Sequence, residues 1–139
     1  MAYQIVKGWP ALGAIDESIE AATGVTLAAG KIAAINDDGD GILADFNVNG
    51  SDAGLTAAFL IDHDSAREGF FTGLISECVI EVDADHYEAG TYKAGDTLTA
   101  DGGKFDGIAA TSDDRPVIAK VLKEPDTQGI MRVLWLGAR

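Results

Sequence analysis

Ala94-Gly95-Asp96-Thr97-Leu98-Thr99-Ala100-Asp101-Gly102-Gly103-Lys104-Phe105 reads as a β-hairpin, and it decides the fold class. The period-2 run Thr97 to Ala100 lies between two turn signals, Ala94-Gly95-Asp96 and Asp101-Gly102-Gly103. Glycine is the residue that supplies the positive φ of a tight hairpin turn. A helix would need apolar residues every three to four positions and would not tolerate this glycine density.

The same grammar extends outward in both directions. Candidate strands are Lys31 to Ile35, Gly41 to Val48, Leu55 to Ile61 and Leu74 to Val82, followed by Thr97 to Ala100, Phe105 to Ala109, Val117 to Lys123 and Ile130 to Leu136. Asn36-Asp37-Asp38-Gly39, Asn49-Gly50 and Thr127-Gln128-Gly129 punctuate them, and Asp64 to Gly69 admits one short helical turn. Many short strands with tight turns predict a small β-barrel or sandwich, tulip-like, as one domain over residues 24–139. The first 23 residues are ambiguous. Leu12, Ile15, Ile19 and Ala22 recur at helical spacing, with Gly24 placed to cap, yet the β-branched content also suits an extended arm. Ala29-Gly30-Lys31 leading to Asp40-Gly41-Ile42 echoes Ala94-Gly95-Asp96 leading to Asp106-Gly107-Ile108, as a degenerate duplication or as two hairpins sharing one turn chemistry.

Bulk properties exclude several classes of function. A chain of 139 residues buries a workable core without staples. Its 23 acidic against 10 basic residues, net −13, oppose binding to nucleic acid or to anionic lipid, both of which require neutralisation of phosphate. The sequence shows no charged-then-apolar leader and no apolar run of spanning length, so neither secretion by a standard route nor a membrane partner is expected. Cys78 stands alone, which excludes an internal disulfide, and its alternating surroundings predict a buried small hydrophobe beside Leu74 and Ile80.

Candidate chemistry is sparse. Asn36, Asp38, Asp40 and Gly41 match the opening of a calcium-binding EF-hand loop, but position twelve is Asn47 where a bidentate Glu belongs, and the flanks read as strands. A solvated turn is the plainer reading. His63, within Asp62-His63-Asp64, and His86, after Asp83-Ala84-Asp85, lack a second His or Cys at ligand spacing. Ser65 and Ser112 lack a nucleophile elbow, and there is no phosphate-binding glycine loop. No catalytic residue and no cofactor is expected. Apolar residues in exposed contexts point instead to contact with other proteins. Phe70 and Phe71, between Gly69 and Thr72-Gly73, either plug the end of the domain or anchor a neighbour. Tyr3, Ile5, Val6 and Trp9 lie in an arm suited to adding a strand to an adjacent subunit. The last strand, with Met131 and Trp135, is apolar on both faces, as at an interface or in a central strand.

The second half also has a recognisable cadence: Tyr87, then Gly90-Thr91-Tyr92-Lys93-Ala94-Gly95-Asp96-Thr97-Leu98-Thr99, Gly102-Gly103-Lys104-Phe105, Val117-Ile118-Ala119-Lys120-Val121-Leu122 and a closing Arg132-Val133-Leu134-Trp135-Leu136. Together with Leu55 to Asp62 and Thr72 to Ile75, it resembles the capsid decoration (cement) proteins of tailed bacteriophages, over residues 24–136. Ala119 stands where that cadence often has glycine. The resemblance implies a structural protein on the outside of a virion, made in the host cytoplasm. It implies a homotrimer bound to the major capsid protein, and an N-terminal arm that grips the shell. Its rivals are a tail or head-fibre base component, a carbohydrate-binding module stacking sugars on Trp9, Trp135 or Tyr92, and a small enzyme using His63 or His86.

Overall fold

The computed structural model describes residues 3–7, 15–46, 55–61, 69–108 and 115–137. Over these residues the chain is all-β: β1 (Tyr3–Lys7), β2 (Ile15–Glu20), β3 (Ile32–Ile35), β4 (Gly41–Leu43), β5 (Thr56–Ile61), β6 (Phe70–Leu74), β7 (Cys78–Val82), β8 (Thr97–Asp101), β9 (Lys104–Gly107), β10 (Ala119–Lys123) and β11 (Met131–Trp135). They form two antiparallel sheets, ordered β1-β7-β11-β10-β8-β9 and β2-β6-β5-β3-β4. The sheets face each other as a sandwich, so of the two expected architectures the closed barrel is not the one adopted.

Alternation builds the layer between the sheets. Ile80, Val82, Leu98, Val133 and Trp135 from one sheet meet Ile32, Phe59 and Leu74 from the other in one buried cluster. The opposite face of the five-stranded sheet carries a second, smaller cluster of Ile19, Leu27, Ala33, Ala58 and Leu60. A parallel bridge between Ala21 and Gly41 touches the two edges of that sheet together at one point. Glycine is required there, because a Cβ on Gly41 would lie 2.9 Å from both Ile19 and Leu27.

The hairpin that decided the fold class is β8–β9. Asp101 pairs with Lys104 across Gly102 and Gly103, whose φ values of 58° and 82° fit the two-residue turn of the right twist. This turn also stitches the two sheets. Ile32 N–H donates to Gly103 O (2.9 Å), Gly103 N–H to Ala44 O (2.9 Å), and Phe46 N–H to Ala100 O (2.8 Å).

Three segments depart from expectation. Residues 1–23 are extended where described, but they complete the chain's own sheets: β1 pairs with β7 and β2 with β6. Pairing satisfies backbone groups that β7 and β6 would otherwise leave bare at a sheet edge. The run Leu74 to Val82, expected as one strand, is the end of β6 and the whole of β7, and Ile75-Ser76-Glu77 carries the chain from one sheet to the other. Of the expected strand Gly41 to Val48, β4 covers Gly41–Leu43; Ala44 N–H still donates to Ile32 O, while Ala44 O and Phe46 N–H bond the opposite hairpin, and Asn47 and Val48 lie outside the described residues.

Candidate functional site

The described surface carries an open groove of about 410 Å³ lined by Ala89, Gly90, Thr91, Tyr92, Asp96, Asp106, Gly107 and Ile108. The β7–β8 connection supplies one wall and β9 the other, and Gly90 and Gly107 keep it unobstructed. Its polar groups are already engaged within the chain. Asp96 accepts a hydrogen bond from Lys93 N–H (2.9 Å). Asp106 is held by Arg115, whose Nη1 donates to it at 2.7 Å and whose Nη2 donates to Gly107 O at 2.9 Å. Tyr92 buries its ring and donates its hydroxyl to Glu88 O. Burial, reinforced by Asp106 and Glu88, pushes that hydroxyl up to about 12, so it remains a donor at any physiological pH. The arrangement can present fixed carboxylates and backbone amides to a small polar ligand. It offers no activated nucleophile among the described residues.

His86 is buried in the same connection. Its Nδ1–H donates to Gly30 O (2.7 Å). Nε2 is buried without a hydrogen-bond partner among the described residues, and Asp83 Oδ1 stands 3.9 Å away. The side chain ties the loop before β3 to the loop after β7, a structural task. No three His, Cys, Asp or Glu side chains gather around it or elsewhere among the described residues. No protein-family model matches the chain, and no curated protein does. The site must therefore be judged on its own geometry.

The calcium candidate resolves into a turn. Asn36 Oδ1 accepts from Asp38 N–H (3.0 Å) and Asp40 N–H (2.9 Å), so it faces the loop's own backbone. Asp126 holds the β10–β11 turn in the same way, accepting from Gln128 N–H (2.8 Å) and Ile130 N–H (3.0 Å). Both turns close with a glycine at positive φ, Gly39 and Gly129. Asp and Asn do this because their short side chains mimic a backbone acceptor.

Three of the expected contact residues, Met131, Trp135 and Tyr3, face the core. Met131 and Trp135 are fully buried in the main core, and Trp135 Nε1–H donates to Leu74 O across the two sheets (3.0 Å). The last strand is apolar on its core face because it is central, between β7 and β10. Tyr3 sets its ring edge-on to Phe59, centroids 5.4 Å apart, so it caps the core. Phe70 and Phe71 are successive residues of β6, so they point to opposite faces and do not form a joint anchor. Phe71 packs on the second cluster, and Phe70 is half-buried on the side of Thr72 and Leu74. Ile5 and Val6 lie on β1. Trp9 and His63 lie outside the described residues. With Trp135 and Tyr92 buried, neither supplies the sugar-stacking platform expected of a carbohydrate-binding module.

The signal that sequence reading missed is the outward register of β7, β10 and β11. Val79, Leu134 and Lys120 form one cross-strand row, and Glu81, Arg132 and Lys123 the next. The two-sided apolar pattern of the last strand could have pointed to it, since Leu134 faces out while Val133 and Trp135 face in.

Proposed function

We propose that this chain is a structural virion protein that decorates the outside of a tailed-phage capsid and stabilises it by bridging major capsid protein subunits as a homotrimer. One observation carries the reading: the residues on which the resemblance rests are the ones that build and lock this fold. Tyr87 donates its hydroxyl to Gly129 O (2.7 Å), Gly95 takes a φ of 95°, Gly103 stitches the sheets, and Val121, Val133 and Trp135 fill the core. That cadence is therefore a description of this sandwich, and the role it implies is one a rigid sandwich performs without chemistry. A pressurised shell is held by many copies of a small clamp, and repeated engagement multiplies modest contacts.

Particle stoichiometry tests the proposal. The chain is expected to co-purify with particles at a fixed, high ratio to the shell protein. A few copies per particle would move it to a tail or fibre base, and its absence from particles would overturn the reading altogether.

A further inference from the structure

We draw no further inference here: the strongest candidate, the open groove between the β7–β8 connection and β9 with Asp96 and Asp106 on its walls, belongs to the site already described, its carboxylates are held by the Lys93 amide and by Arg115, and nothing in the structure selects a ligand for it.

Discussion

Gly30 O accepts a 2.7 Å hydrogen bond from Nδ1–H of His86, 56 residues away, and the glycine's missing side chain is what lets the imidazole approach. A Cβ on Gly30 would stand 2.5 Å from His86 Cε1, and its φ of 89° already strains any L side chain. Gly24 has a similar φ, 82°, with nothing within 4 Å. Gly30→Ala is therefore expected to cost about 2–4 kcal/mol, combining left-handed strain with overpacking. Gly24→Ala, with strain alone, should cost about 1 kcal/mol. Urea unfolding of both variants checks the ordering, and equal losses would show that the His86 contact contributes nothing of its own.

Trp135 is the largest fully buried side chain among the described residues, and its indole bond to Leu74 O joins the two sheets. Trp135→Phe leaves that buried carbonyl without its donor and should cost about 1–3 kcal/mol. Trp135→Ala should cost about 3–5 kcal/mol through the cavity it opens. Because the residue touches no outer surface, the Phe variant should match the parent in the particle co-purification that tests the proposed role. A stable Phe variant that differs from the parent there would return Trp135 to an interface.

Fold class was legible because hairpin chemistry is local. Asp101-Gly102-Gly103-Lys104 can close only one kind of turn, and the alternation beside it states which face is buried. What was not legible depends on distant pairing. Leu74, Cys78, Ile80 and Val82 share one register and only Ser76 interrupts it, too slight a signal to mark Ile75-Ser76-Glu77 as the step between sheets. Phe70 to Gly73 falls outside the candidate strands because Gly69 and Gly73 flank the aromatics. Gly73 is in fact a strand residue kept small by Ile19, which no reading of Gly73's own neighbourhood reveals. Likewise, the pattern around Met131 and Trp135 fits an interface and a central strand equally, because strand order, which puts β11 between β7 and β10, is not written in the strand itself.

Asp126 gives an acid-limb prediction. Amides of Ile130 and Gln128 hold its carboxyl below the ordinary value of 3.8, against a smaller opposing effect of burial and with help from Lys123. A lowered folded-state value means stability that is present above 3.8 and lost as pH falls through the folded-state value. Asp126→Asn keeps the acceptor oxygen, as Asn36 does in the sister turn, but has no proton to take up. The melting-temperature difference between parent and Asp126→Asn should therefore shrink as pH drops below about 3.8. A difference independent of pH would mean the charge plays no part in the turn.

Cys78 and Tyr92 govern the alkaline limb. Burial pushes the Cys78 thiol from 9.0 to about 11 and the Tyr92 hydroxyl from 10.0 to about 12. Raised folded-state values mean that the unfolded chain ionises first. Stability from the thiol is then complete below pH 9.0 and declines as pH rises through about 11. Cys78→Ala should remove the earlier part of the decline and leave the part due to Tyr92. Native protein should also react slowly with thiol reagents until it unfolds. Prompt labelling under native conditions would contradict the burial.

Ile19 shows how the second cluster is fitted together. β2 shifts register between Asp16 and Ile19, which brings Ile19 opposite Phe71 on the face where Gly73 and Gly41 leave room for it. A Cβ on Gly73 would meet Ile19 Cδ1 at 2.6 Å and the Ala58 Cβ at 2.8 Å. Gly73→Ala should therefore destabilise by about 1–3 kcal/mol through overpacking. Ile19→Val removes the methyl that clashes, at about 0.5–1.5 kcal/mol when made alone. Made together, the two changes should cost less than their sum, with a coupling of about 0.5 kcal/mol or more. The remaining Ala58 contact keeps the rescue partial. Strict additivity in the double-mutant cycle would mean that the sheet shifts to admit the new methyl and that Ile19 does not set the size of residue 73.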